Sequence, residues 1–475
     1  MKCKSGYCTT LSGRSTDQQR LKLAPVISPA LCGKNVRVFD MQTDSSSPHF
    51  LFTPIGSSGD VHPFLGIAQT LHQRGHDVTV ISAETFRRPA AQCGLQFIPY
   101  MTDEEFQQIV SEPDLWHPRK GLALILGRMA EHLSGAYDRL CDVYQPGRTV
   151  IVAASLAFAA RVFQDKHAAP VVSMHLAPAA FRTLHLQPSG VLGQDLSWLP
   201  KPLKQLMWWV IDRALFDPNI SPAINRLRAD IGLPAISRPL KDWLHSPNRT
   251  IGLFPPWFGP PQPDWPEQVR LTGFPLFDET GQHELNPELE RFLHGGTPPI
   301  VFTPGSAQSQ AGSFFATAIE ATAIMQRRCL LLTRYPEQVP CNIPDYARHE
   351  AYVPFSSLLP RCAAIVHHGG VGTCAQGLAA GIPQLTMPMG FDQPDNTTRL
   401  HRLGVGLGIV PKEFTGERVA EALERILADK GIHESCSRWK SEIAAGDPVG
   451  ATCELIEEIA DHRTLTSHTN RSTFF

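Results

Sequence analysis

Four short stretches hold the residue types best suited to chemistry. The first is Gly56-Ser57-Ser58-Gly59-Asp60. A glycine turn running into a helix start offers backbone N–H groups that attract anions, so Gly56 and Ser57 are candidate diphosphate contacts. A carboxylate beside an anion site is costly unless it has a task, and Asp60 could act as general base toward a hydroxyl. An isolated G-x-x-G is more often a structural turn, and His62 is the rival base. The second stretch is His367-His368-Gly369-Gly370-Val371-Gly372-Thr373. Gly369, Gly370 and Gly372 would let a diphosphate approach the backbone closely, with His368 and Thr373 adding side-chain donors. Adjacent histidines point apart and no carboxylate stands at ligand spacing, so a zinc site is not expected. The third is Met389-Gly390-Phe391-Asp392-Gln393. Asp392 accepts and Gln393 both accepts and donates, which suits neighbouring sugar hydroxyls, with a solvated loop as the alternative. The fourth is Thr303-Pro304-Gly305-Ser306, where Ser306 could donate to a phosphate at the next helix start.

Each stretch follows a short apolar run that reads as a buried strand. His49 to Pro54, Asp77 to Ser82 and Leu95 to Pro99 are separated by helix-period segments, a β-α-β-α-β pattern that implies a parallel sheet. Val150 to Ala154 and Pro170 to Met174 extend it. A second such pattern begins near Pro299, with strands at Ile300 to Thr303, Cys329 to Thr333, Glu350 to Val353, Ala363 to His367 and Pro383 to Pro388. Helices are expected from about Ser313 to Gln326, over Thr415 to Ala428, and from about Ala451 to Asp461. The fold class is therefore α/β, in two sheet-and-helix halves with a Pro-rich boundary near 270 to 298. Open parallel sheets bind ligands beyond the carboxyl ends of their strands, where all four stretches fall.

Composition narrows the function classes. Lys+Arg is 43 against Asp+Glu 45 in 475 residues, a net charge of −2 that gives no pull toward nucleic acid. The 11 cysteines are scattered without C-x-x-C, which reads as reduced cytosolic thiols. No apolar stretch approaches the ~20 residues of a membrane-spanning helix. Residues 1 to 48 lack periodicity and read as a disordered tail, or as upstream sequence if Met41 is the start. From Gln187 to Pro266 the chain is rich in Pro and Trp, and Pro255 to Pro266 reads as an irregular connector or lip. Within it, Leu196 to Phe216 mixes Trp198, Trp208 and Trp209 with Lys201, Lys204 and Arg213. That suits a segment touching a membrane surface. A helix packed in the core is the alternative, which the Trp pair favours.

Taken together, the four stretches resemble the nucleotide-sugar-dependent family 1 of GT-B glycosyltransferases, over His49 to about Ile459. Tyr352 to Gln393 is similar to that family's donor-binding box. GSSGDVHPFLGIA resembles the branch of sterol glucosyltransferases, glycopeptide-antibiotic glycosyltransferases and the rhamnolipid rhamnosyltransferase. The last is the nearest likeness for Trp243 to Phe277. The resemblance implies two Rossmann-like domains facing across a cleft. These are an acceptor domain at 49–275 and a donor domain at 276–450, followed by a C-terminal helix and tail at 451–475. It implies inverting hexosyl transfer from a UDP-sugar, or a dTDP-sugar, to a hydroxyl of an apolar, lipid-like or secondary-metabolite acceptor. Asp60 would be the catalytic base. His368, Ser306, Gly370, Gly372 and Thr373 would hold the diphosphate, Tyr352 and Val353 the nucleoside, and Asp392 and Gln393 the sugar. Gln376 stands where the box normally carries a ribose-holding Glu, which bears on the UDP or dTDP choice. No D-x-D occurs, so no metal or other cofactor is expected. A nucleotide-sugar epimerase of the same architecture, or a non-catalytic sugar-nucleotide-binding protein, are the rivals. The expected location is the cytoplasm, with peripheral contact to the inner membrane face as an addition.

Overall fold

The computed structural model describes residues 47–117, 120–186, 198–278 and 285–469. All but the last two residues of the tail read at 1 to 48, the start of the Trp-rich segment up to residue 197, and part of the Pro-rich boundary lie outside the described residues. Two parallel sheets organise the chain. The first has seven strands: β1 His49–Thr53, β2 Asp77–Ala83, β3 Gln96–Met101, β4 Thr149–Ala154, β5 Val171–His175, β6 Arg249–Gly252 and β7 Val269–Leu271. Their order in space is β3-β2-β1-β4-β5-β6-β7. The second has six: β8 Ile300–Thr303, β9 Cys329–Leu332, β10 Ala347–Glu350, β11 Ala364–His367, β12 Gln384–Thr386 and β13 Gly406–Gly408, ordered β10-β9-β8-β11-β12-β13. In each sheet the strand order reverses once, between β1 and β4 and between β8 and β11. A doubly wound sheet opens its ligand crevice at that point.

Both faces of each sheet are covered, which is why the strands read as continuous apolar runs. In β1, Phe50 and Phe52 pack under the helix Ser58–Gln73, whereas Leu51 faces the helix Gly121–Val143. His49 sits in the same strand, fully enclosed. Its ring nitrogens meet Thr149 Oγ1 at 2.9 Å and Thr79 Oγ1 at 3.0 Å, so the neighbouring strands satisfy a polar residue in the core. The strand expected at Glu350 to Val353 lies three residues earlier, at Ala347–Glu350. Pairing with Cys329–Leu332 sets its register, and Tyr352 and Val353 fall beyond it.

Three features tie the halves together. The chain from Phe254 to Trp265 forms no regular element, yet it is not a loose lip. Phe254 and Phe258 are buried with Phe181 and Phe274 from the first half and Leu378, Leu400 and Trp439 from the second. Trp257 stacks on Trp439 with ring centroids 4.6 Å apart. Arg399, in the helix Gln393–Arg402, is buried and pairs with Asp395 at 2.7 Å. It also donates to the Phe258 carbonyl at 2.7 Å. Finally, the helix Pro448–Thr469 returns to the first half. There Cys453 and Ile456 enter the core, and Glu457 takes Arg74 at 2.6 Å and His76 at 2.9 Å.

The Arg399 tie generates a stability prediction. Arg399→Met keeps approximate volume but removes the buried cation beside Asp395 and the donor to the Phe258 carbonyl. A loss of about 3–5 kcal/mol follows for breaking one side of a buried pair. Denaturant titration of wild type and variant measures it, and a loss under about 1 kcal/mol would show that the aromatic cluster alone joins the halves.

Candidate active site

The first stretch occupies the turn between β1 and the helix Ser58–Gln73. Gly56 has φ +127°, a region open to glycine, and a Cβ there would overlap the Asp60 carboxylate. Ser57 caps the helix. Its backbone N–H donates to Asp60 Oδ2 at 2.8 Å and its hydroxyl to the same oxygen at 3.0 Å. Ser57, read from sequence as a diphosphate contact, thus spends both donors on fixing Asp60. Oδ1 has no donor among the described residues. Burial raises the Asp60 pKa above the ordinary carboxylate value, and the two Ser57 bonds oppose that rise. His62, the rival base, is pushed down to about 4 by burial and by the charge of Arg334, with Asp278 opposing. Its ring stands edge-on to Phe277. A group that weakly basic is a poor proton acceptor near neutrality.

The second stretch joins β11 to the helix Val371–Ala380. His367 and His368 do different things. His367 is fully buried, accepts from the Gly369 N–H at 3.1 Å and lies 3.0 Å from Gln384 Oε1. It braces the loop, and burial holds its pKa down at about 3. The His368 ring lies against Gly305 and Gly370, and a Cβ on Gly370 would overlap it. Burial lowers its pKa to about 4, so it is neutral at pH 7. Its Nδ1 is buried with no partner among the described residues. Beside it the helix start leaves the N–H groups of Val371, Gly372 and Thr373 without intrahelical acceptors. Ser306, half-buried, follows Gly305 in the loop after β8. An anion fits this set of donors.

The third stretch follows β12. Asp392 Oδ2 accepts from Asn396 Nδ2 at 2.8 Å, and the same Nδ2 reaches the Gly369 carbonyl at 3.0 Å. Asn396 therefore couples the second loop to the third. Burial raises Asp392 to about 7; the Asn396 bond opposes this, and the negative charge of Asp60 adds to it. The two carboxylates thus sense each other across the cleft. Gln393 is buried, and its Oε1 accepts from the N–H groups of Met389 at 2.8 Å and Gly390 at 3.2 Å. The acceptor half of its side chain shapes the loop.

The helix starts at Ser58 and Val371 meet head to head, with Gly59 O 3.5 Å from where a Gly372 Cβ would stand. Tyr352 is 40% exposed after β10, whereas Val353 is buried and offers a ligand only its backbone. Gln376 is half-buried on the helix that begins at Val371. Sequence reading missed three residues here, Asn396, Arg334 and Trp116. Asn396 has an ordinary polar signature. Arg334, after β9, brings Nη2 to 3.5 Å from Ser58 Oγ at the start of the facing helix. Trp116 of the first half packs edge-on against Phe391 of the second, at 5.7 Å between centroids. Phe391 itself has φ +57°. Only contacts distant in sequence reveal these residues. An apolar cavity of about 30 Å³, room for a water-sized group, lies beside the first loop, bounded by Ile55, Met129, Leu133, Leu156 and Phe158.

Comparison with known proteins agrees with this architecture. Residues 50–174 match the glycosyltransferase family 28 N-terminal domain, and residues 331–459 match the erythromycin biosynthesis protein CIII-like C-terminal domain. The chain is 30% identical to the O-mycaminosyltylonolide 6-deoxyallosyltransferase of Streptomyces fradiae over 428 residues, 87% of this chain and 98% of that protein. Among solved structures, the glycotransferase of kitacinnamycin superposes with a TM-score of 0.67 at 21% identity, covering 87% of this chain and 99% of that one. Glycosyltransferase VinC, solved in complex with dTDP, gives a TM-score of 0.60 at 18% identity, covering 87% and 100%. Two facing doubly wound sheets, matches in both halves and 30% identity over nearly a whole relative make one conclusion: the chain belongs to the GT-B glycosyltransferases and is a glycosyltransferase of the secondary-metabolite type.

Proposed function

We propose that the protein moves a hexosyl group from a nucleoside-diphosphate sugar to a hydroxyl of an apolar acceptor by one inverting displacement. The observation that carries this reading is the opposition across the cleft. Asp60, with Oδ1 free of donors among the described residues, stands opposite the loops that hold His368 and Asp392. The acceptor hydroxyl gives its proton to Asp60 as its oxygen attacks the anomeric carbon. The bond from that carbon to the diphosphate breaks in line with the attack. Negative charge gathers on the diphosphate, where neutral His368 can donate one N–H, Ser306 its hydroxyl and the Val371 helix its terminal amides. Helix ends then supply charge stabilisation that a metal supplies elsewhere. Asp392 and the Gln393 amide hold the sugar hydroxyls, and Tyr352 stacks on the base.

The donor is a UDP- or dTDP-sugar. The VinC complex with dTDP supports the second, and Gln376 in place of Glu makes the ribose contact the point of difference. For the acceptor, the support is the likeness to the Streptomyces fradiae relative, an O-mycaminosyltylonolide 6-deoxyallosyltransferase.

Asp60→Asn tests the base. Asn can still accept from Ser57, so the helix cap and the melting temperature should hold. The kcat should fall about 100-fold or more, with donor affinity nearly unchanged. In wild type, kcat/KM should fall on the acid side, because protonation removes the base. That limb should lie above the ordinary carboxylate value of about 4, since burial raises both Asp60 and Asp392. Near-normal kcat in the variant, or an acid limb at about 4, would contradict the assignment.

His368→Ala tests the leaving-group site. Losing one hydrogen bond to a charged group should weaken nucleoside diphosphate binding about 10- to 100-fold. Calorimetry with the free nucleoside diphosphate reads this directly, and unchanged affinity would remove His368 from the donor site.

A further inference from the structure

The helix Lys201–Ile211 in the first half is amphipathic the wrong way round for a water-facing element. Trp198 just before it is 76% exposed, and on it Leu203, Leu206, Trp209 and Val210 are each about half exposed. Leu203, Leu206 and Val210 are spaced i, i+3, i+7 and share one face. The side turned to the protein instead buries a charge. Lys204 is enclosed and its Nζ donates to the carbonyls of Leu184 at 3.0 Å and His185 at 3.1 Å. Trp208, half-buried, lies under the Arg182 guanidinium at 4.7 Å. A buried lysine with two carbonyl acceptors fixes the helix's rotation, so the apolar stripe is held outward.

The charges around the stripe indicate what covers it. Between residues 198 and 216 the exposed charged side chains are Lys201 and Arg213. The acid there, Asp212, is buried and paired with Arg182 at 2.7 Å. Past the stripe, a cavity of about 340 Å³ is bounded by Trp209, Asp212, Arg213, Asp217, Ser237 and Arg238, so its lining carries both signs of charge. It adjoins a π-helical turn, Asp212–Phe216, and Arg238 has φ +46°. A second copy of this chain would bring the same cations face to face across a two-fold axis, which opposes self-association. An anionic lipid surface satisfies both the apolar stripe and the exposed cations Lys201 and Arg213 beside it.

We propose that this face docks on the anionic surface of a lipid bilayer. Trp198, Leu203, Leu206, Trp209 and Val210 enter the headgroup boundary, and the exposed Lys201 and Arg213 beside them meet lipid phosphates. Among the described residues no helix is long and apolar enough to cross a membrane, so the contact is peripheral. The proposal goes beyond the transfer reaction, and its test uses neither donor nor acceptor, so either reading can fail alone.

The experiment sediments the full chain with vesicles of phosphatidylglycerol and phosphatidylcholine in equal parts, and with phosphatidylcholine alone, at low and high salt. Wild type should sediment with the anionic vesicles, less with the neutral ones, and less at high salt. Leu206→Ser with Trp209→Ser should lower partitioning about tenfold or more with an unchanged melting temperature, since binding scales with inserted apolar area. Leu203→Ser with Val210→Ser on the same face replaces that pair if it melts lower. Lys201→Ala and Arg213→Ala should each cost about fivefold on anionic vesicles. Wild type that stays in the supernatant, or apolar variants that sediment like wild type, would overturn the proposal. So would a wild-type dimer in solution that either apolar variant converts to monomer, since the face would then belong to a second copy.

Discussion

The separation between the two sheets is the constraint on which the rest of the cleft depends, and one buried guanidinium does much to fix it. Arg399 reaches from the second half to the Phe258 carbonyl while Asp395 neutralises it. Around that tie Trp257 stacks on Trp439, and Phe258 and Phe274 pack against Leu378 and Leu400. Burying an ion pair is costly unless its geometry is good and its remaining donors are used. Here a donor goes to a backbone carbonyl from the opposite half, which makes the pair a positional device as well as a charge balance. The helix Pro448–Thr469 then returns to clasp the first half through Glu457. With the sheets held so, the helices starting at Ser58 and Val371 meet end to end.

That meeting explains the electrostatics of the cleft. Two helix N-termini carry partial positive charge toward the same space and favour an anion between them. Against this stand two carboxylates, Asp60 and Asp392, each raised by burial, and Asp392 raised further by Asp60. Two acids that destabilise each other's charge are a usual mark of a functional site. The division of labour between neighbours is similarly physical. His367 is spent on bracing the glycine loop, while His368, one residue on, has Nδ1 without a partner among the described residues. Gln393 uses its oxygen on the backbone. Among the described residues, Asp60 has one oxygen held by Ser57 and the other without a donor.

Much of this was legible in the sequence, because each site loop sits where an apolar strand run ends, a glycine turn follows and helix periodicity begins. Those signals are local, and they located Asp60, His368 and Asp392. What escaped depends on contacts distant in the chain. Pro255 to Pro266 has no periodicity, so only the stacking of Trp257 on Trp439 shows that it joins the halves. The strand before Tyr352 slipped by three residues because its register comes from β9, not from its own apolar content. Trp116 and Arg334 reach the cleft from elements that carry no motif. For the helix Lys201–Ile211, periodicity reveals a stripe but not which way it turns. The sequence favoured the core, whereas the buried Lys204 rotates the stripe outward.

The central claim is that a single displacement, driven by one base on the acceptor side, breaks the sugar–diphosphate bond. Product stereochemistry tests it most directly. With an α-linked nucleotide sugar, the anomeric proton coupling of the purified product by NMR should report a β-linkage. An α-linked product would contradict the account. Retention excludes a single in-line displacement from the opposite face, whether it comes from a two-step route through a covalent sugar intermediate or from attack on the leaving-group face, and Asp60 could then no longer be the base of such a displacement.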